Sequence, residues 1–166
     1  MKDLKSFTLL SDDLEGQISM REAFKSEECP GMNISPHLKW VNPPQGTQSF
    51  AVTVYDPDAP TGSGWWHWLI FDIPETVTEL VADAGNIRRK LAPANAIQSI
   101  TDYLIHGYGG PHPPKGDKPH QYIFTVYALN VRSLNLNKEA SPAMVGFKIN
   151  HHTIAKASLV SYFERK

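Results

Sequence analysis

The chain has 166 residues, 41% of them hydrophobic and 20% charged, with a formal net charge of −1. That length fits one domain with its own core, and the composition is ordinary for a soluble globular protein. The near-zero charge, with lysines and arginines scattered, removes the electrostatic case for nucleic acid or an anionic membrane surface. The one tight basic cluster, Arg88-Arg89-Lys90, reads as a solvated loop. A single cysteine, Cys29, excludes an internal disulfide and fits a reducing compartment. Met1 to Phe7 contains no apolar stretch of the signal-peptide kind, and no window approaches the roughly 20 apolar residues of a membrane span. A cytoplasmic protein without integral membrane association is the expectation.

Prolines and glycines punctuate short segments throughout, as in all-β folds. Ser6–Leu10 is a short first strand. A turn follows over Ser11–Gly16, and Gln17–Phe24 reads as another strand. Ser26–Ile34 is a loop, His37–Trp40 a strand, and Pro43–Thr47 a turn. Ser49–Tyr55 alternates Phe50, Val52 and Val54 against Ala51, Thr53 and Tyr55, which predicts a strand. A second apolar strand runs from Trp65 to about Ile73. Glu75–Ala84 is compatible with a short helix or a loop, and Arg88–Ile100 is poorly patterned. Thr101–Pro119 is a long Gly/Pro-rich loop, of a length usually kept for function. His120–Leu129 is the clearest strand, apolar on both faces like an interior strand of a sandwich. Ser141-Pro142 is a helix start, Ser as N-cap and Pro in the first turn, with Met144, Phe147 and His151 along the expected inner face. Ala157–Phe163 closes the chain as a strand. The expected fold is mainly β: one antiparallel β-sandwich domain over residues 1–166 with one or two peripheral α-helices.

Two stretches carry candidate chemistry. In the first, the strand ending at Tyr55 runs into Asp56-Pro57-Asp58-Ala59-Pro60, turns through Thr61–Gly64, and leaves as Trp65-Trp66-His67-Trp68. Proline cannot pair within a central strand, so Asp56 and Asp58 sit at a strand end, near His67. Taken alone, this hairpin fits equally an Asp-Pro turn whose carboxylates cap backbone N–H groups and a functional site. In the second, the loop Gly107–Pro119 delivers His120 at a strand start, with Tyr122 on the same face. The remaining histidines His37, His106 and His112 read as surface residues, with His112 able to join a pocket rim. His151 and His152 are neighbours expected to point apart.

Together these stretches resemble the two signature regions of the phosphatidylethanolamine-binding protein (PEBP) family. The bacterial and archaeal YbhB/YbcL branch, described as Raf-kinase-inhibitor-like, is the nearer match. Asn33-Ile34-Ser35-Pro36 and Ala143–Phe147 extend the similarity to nearly the whole chain. The resemblance implies a β-sandwich with a small anion pocket at one end of the larger sheet. Its ligand-binding residues would be Asp56, His67, Pro114, His120 and Tyr122, supported by Asp58, Ala59, Pro60, Trp65 and Gly110. It also implies a cis peptide at Ala59–Pro60. One departure stands out: His120-Gln121-Tyr122 replaces the family's usual His-Arg-Tyr, so a salt bridge beside the pocket is expected to be missing.

The functional expectation is a binding protein for phosphate or a phosphoryl-bearing small ligand, extending to a phosphoprotein or kinase by analogy with eukaryotic relatives. No cofactor and no metal are expected, and a homodimer is suggested by bacterial relatives. Asp56 is expected to keep both imidazoles charged, so that two imidazoliums and a tyrosine hydroxyl clamp the anion. The competing reading is a hydrolase, using Asp56, Asp58, His67 and His120 as a metal set or an Asp/His pair as general base. A third treats Pro111–Pro114 as a polyproline ligand for a partner, against a rigid pocket wall.

Overall fold

The computed structural model describes residues 6–166. In chain order the elements are β1 (Thr8–Leu10), β2 (Leu38–Val41), β3 (Ser49–Asp56), β4 (Trp65–Pro74), β5 (Glu79–Leu80), β6 (Ile97–Gln98), β7 (His120–Leu129), α1 (Pro142–His152) and β8 (Thr153–Phe163). They form two antiparallel sheets, a three-stranded one ordered β1-β2-β5 and a five-stranded one ordered β6-β4-β3-β7-β8. β3 and β7 lie inside the larger sheet and are almost wholly buried, as their two apolar faces require.

The alternation in β3 decides where each face goes. Phe50, Val52 and Val54 join Trp40, Trp68, Phe124 and Val126 in the core cluster. Ala51, on the opposite face, packs with Leu69, Phe71 and Leu129 against Val145 and Ile149 of α1. α1 begins where the Ser141-Pro142 signal places it, and the Ser141 hydroxyl accepts from the Met144 N–H. The helix packs through Val145 and Ile149 rather than the expected stripe: Met144 and Phe147 are exposed, Phe147 by 65%. Both stripes are apolar in sequence. The phase is set at the ends, by the Ser141 cap and by the direct passage from His152 into β8, where Thr153 Oγ1 donates to the Ile149 carbonyl.

Other expectations need correction. Residues 17–24 form no strand: Gln17 makes one bridge to Tyr162, and a turn follows in which the Glu22 carboxylate accepts from the Ser19 N–H and hydroxyl. The glutamate half of this Ser-x-x-Glu pattern is that of a helix start, closed here as a single turn in which Ser19 Oγ accepts from the Arg21 N–H. Glu75–Ala84 supplies no helix but β5, which pairs Leu80 with Leu38. His37 is buried, its Nδ1 accepting from the Asp12 N–H and its Nε2 facing Glu79 at 2.8 Å. The rings of His151 and His152 meet edge to face, 4.9 Å between centroids.

Antiparallel pairing fixes the site. β3 and β4 close as a hairpin with Asp56 opposite Trp65, and β3 pairs with β7 through Tyr55 and Ile123. The ends carrying Asp56, Trp65 and His120 therefore meet at one end of the larger sheet. Replacing Ser141 by Ala should cost about 1 kcal/mol of stability, the ordinary worth of an N-cap hydroxyl. Urea unfolding at neutral pH checks this, and because α1 lies away from the sheet end, the His67 and His120 ring resonances should not move.

Candidate functional site at the end of the larger sheet

Asp56, the last residue of β3, is 3% exposed and uses both carboxylate oxygens. Oδ1 accepts from the backbone N–H groups of Asp58 (2.8 Å) and Ala59 (3.1 Å). Oδ2 lies 2.8 Å from His120 Nδ1. The hairpin is thus both of the things its sequence allowed, a capped Asp-Pro turn and half of a charged pair. The Ala59–Pro60 bond is trans, contrary to the family-based expectation. The turn is held instead by the Asp56 cap and by the Thr61 N–H donating to the Ala59 carbonyl at 2.7 Å.

Asp58 braces the neighbouring strand. Its Oδ2 accepts from the Gln121 backbone N–H at 2.9 Å, and its Oδ1 pairs with Lys118 Nζ at 3.2 Å. The Gln121 bond first, then Lys118, hold its carboxyl below the usual range against a partial desolvation. Lys118 thus provides a cation for Asp58 beside the position where the family usually has arginine.

His67 departs from the expected imidazolium. It is 2% exposed on β4, and its Nδ1 faces the carbonyls of Gly109 (2.7 Å) and Gly110 (3.2 Å). Carbonyls only accept, so Nδ1 carries the hydrogen. Tyr103 and Tyr122 pack edge-on to the ring at 5.4 and 5.2 Å. Burial drives the pKa of His67 down to about 4, outweighing the carbonyl bonds and the Asp56 charge. The ring is therefore neutral at pH 7. His120 is different: Nδ1 faces Asp56 and Nε2 faces Asp117 Oδ2 at 3.3 Å, an arrangement suited to the imidazolium.

A cavity of about 240 Å³ opens between these elements, lined by Asp56, Ala59, Pro60, Thr61, Trp65, His67, Tyr103, His112, Pro113, Pro114 and His120. Asp58 and Gly110 stand behind this wall, as braces. Tyr122 is fully buried beneath His67 rather than on the lining, and burial with the Asp56 charge pushes its phenol far above its ordinary value. Among the described residues the Trp65 indole N–H is buried without a partner, while the Tyr122 hydroxyl is buried near the Asp56 carboxylate. Gly110 has no room for a side chain, since a Cβ would collide with the Glu22 carbonyl. Its N–H donates to Asn33 Oδ1 (2.7 Å), while Asn33 Nδ2 donates to the Tyr108 carbonyl (2.9 Å).

Asn33, Tyr103, Asp117 and Pro113 were not among the residues the sequence singled out for the site. Tyr103 donates to the Gly110 carbonyl and stacks on Phe24, a contact that only the folded loop creates. A larger groove of about 760 Å³ lies elsewhere, along residues 87–98, His106 and 136–138, with a mainly apolar lining. His106 Nδ1 is buried there without a partner among the described residues, and the lining carries Lys90 and Lys138, but no buried carboxylate held against an imidazole like the Asp56–His120 pair. Among the described residues, no three His, Cys, Asp or Glu side chains are placed to hold a metal ion.

Comparison with known proteins follows the geometry. The family model "Phosphatidylethanolamine-binding protein" matches residues 7–164. The UPF0098 protein YbcL of Escherichia coli K12 is 45% identical over 163 residues, covering 97% of this chain and 89% of that protein. The UPF0098 protein YbhB of the same organism is 44% identical over 157 residues, covering 93% and 98%. The crystal structure of E. coli YbcL, described as a new member of the mammalian PEBP family, superposes with a TM-score of 0.95 at 44% identity. It covers 98% of this chain and 100% of that one.

The neutral His67 makes folding stability depend on pH with a definite sign. Its folded pKa, about 4, lies below the unfolded value of 6.5, so acid favours the unfolded chain. Stability is fully present above pH 6.5 and is lost as pH falls toward 4. His67→Asn keeps an N–H for Gly109 but cannot titrate. Between pH 7 and pH 4 the wild type should lose about 3 kcal/mol more than this variant. Urea melts at both pH values measure the difference.

Proposed function

Because the chain belongs to the phosphatidylethanolamine-binding protein family, we propose that it is a binding protein whose sheet-end cavity recognises a phosphate or phosphoryl group. One observation carries this reading: a histidine fixed by a buried carboxylate faces a small cavity whose wall also holds the Trp65 indole N–H, a donor with no partner among the described residues. An unpartnered buried donor is costly, and a ligand rich in acceptor oxygens would relieve it. His120 supplies the charge and Trp65 an indole N–H, within walls stiffened by Pro60, Pro113 and Pro114.

The family's description names phosphatidylethanolamine, and a cavity of about 240 Å³ suits a headgroup rather than acyl chains. The proposal therefore stops at the phosphoryl group, carried by a small molecule or, for kinase regulation, by a protein. A hydrolase is the weaker reading. An Asp–His pair is present, but the hydroxyls on the cavity wall, those of Thr61 and Tyr103, donate to the Gly64 and Gly110 carbonyls rather than to a base.

Inorganic phosphate titrated into the protein should shift the His67 and His120 ring signals saturably. His120→Ala should weaken binding roughly tenfold or more, the usual worth of a hydrogen bond to a charged group. Sulfate, which does not itself titrate near neutrality, should likewise bind more weakly to His120→Ala than to the wild type. Phosphate or sulfate binding indifferent to His120→Ala would overturn the proposal. Turnover of p-nitrophenyl phosphate that disappears in His120→Ala would favour the hydrolase. O-phosphoethanolamine and phosphatidylethanolamine vesicles, compared side by side, separate a free headgroup from a lipid.

A further inference from the structure

Resting on that phosphoryl-site reading, we propose that Asp117 is the specificity-determining residue of the pocket. Its carboxylate occupies the N–H of His120 that an incoming anion must take. The ligand therefore binds by displacing an internal anion, and a singly charged, protonated phosphoryl group is favoured over a dianion.

The two partners of His120 are unequal. Asp56 is 3% exposed, sits 2.8 Å from Nδ1, and is locked by two backbone N–H groups, so it does not exchange. Asp117 reaches Nε2 at a longer 3.3 Å from a side chain that is 43% exposed. Among the described residues, that carboxylate has no other ion pair or hydrogen bond. Its backbone is anchored apart from it, by the Asp117 N–H to the Pro114 carbonyl and the Gly116 N–H to the Arg165 carbonyl. The side chain can therefore swing into water without unfolding the loop.

Selectivity follows from what remains around the bound anion. His120 faces Asp56 from β3 and Asp117 from its own loop, with the Asp58–Lys118 pair beside it. His67 contributes no charge. Its Nδ1 is committed to Gly109, and Nε2, across the ring, is left as an acceptor on a residue that lines the cavity. A displaced Asp117 stays close and repels a second negative charge. An acceptor nitrogen and a nearby carboxylate together suit a ligand that brings its own O–H. Dihydrogen phosphate and phosphomonoester monoanions bring at least one O–H with a single charge, and sulfate brings none.

The experiment measures the affinities of inorganic phosphate and sulfate at pH 6 for the wild type, Asp117→Asn and Asp117→Ser. Phosphate is mainly a monoanion there. The wild type should prefer phosphate. Both variants should bind sulfate roughly tenfold tighter and phosphate only two- to threefold tighter, so the preference collapses. Glu28→Gln removes the same charge from an exposed residue whose field reaches the pocket histidine His112, and should change neither affinity by more than twofold. Equal gains for the two ions, no gain in either Asp117 variant, or the same gain in Glu28→Gln would overturn the role of Asp117 while leaving the phosphoryl site standing. Failure of both ions to bind any of the proteins would remove the phosphoryl reading and this inference with it.

Discussion

The Asp56 carboxylate divides its two oxygens between backbone and ring. Oδ1 holds the turn after β3 through two N–H groups, and Oδ2 holds His120. A buried carboxylate is expensive unless it is paired and hydrogen-bonded, and here the partners come from two segments, the turn that follows Asp56 and the start of β7. The turn belongs to the β3–β4 hairpin, and His120 opens β7 after a loop of nearly twenty residues. Removing either oxygen's partners would leave a buried charge unsatisfied. The pocket wall and the sheet end thus share one electrostatic keystone, and the site is as rigid as the strand pairing beneath it.

The same environment gives two histidines opposite roles. They lie within reach of one carboxylate, yet only His120 touches it. His67 is turned toward the Gly109 and Gly110 carbonyls and enclosed by two tyrosines, so burial outweighs the Asp56 field and the ring stays neutral. The carbonyls fix which nitrogen keeps the hydrogen, and hence what the other nitrogen offers the cavity. Backbone carbonyls thus set the face that His67 offers, while side-chain carboxylates hold His120, and no arginine takes part.

Much of this could be read from the chain. Alternating apolar residues located β3, β4 and β7 because a two-sided buried strand leaves an unmistakable pattern, and Ser141-Pro142 located the start of α1. Asp-Pro and Gly-Pro punctuation brought Asp56, His67 and His120 to strand ends. What stayed hidden depends on backbone atoms or on long-range choice. Nothing in the letters tells that Gly109 presents its carbonyl to His67, so the ring's neutrality was invisible. Asn33 and Tyr103 act on the carbonyl or N–H groups of the 108–110 loop, and such partners leave no side-chain pattern. Residues 17–24 look like a strand by composition, but the Ser19–Glu22 pair closes a turn. The apolar stripe of Met144 and Phe147 competes evenly with Val145 and Ile149 until the abrupt junction with β8 fixes the helix phase.

The departure at Gln121 illustrates why some substitutions near a site are tolerated. Asp58 grips residue 121 by its backbone N–H, a group every residue but proline offers, so the identity of the side chain matters little to that bond. The charge that Asp58 still needs arrives from Lys118, three residues back along the same loop. The side chain at 121 is half-buried and alternates away from His120 and Tyr122, toward Tyr162 on β8. Loss of the family's usual arginine thus leaves the brace between the Asp56–Pro60 turn and β7 in place. That brace holds His120 over the cavity, and it depends on a backbone bond plus an exchangeable surface cation rather than on one guanidinium.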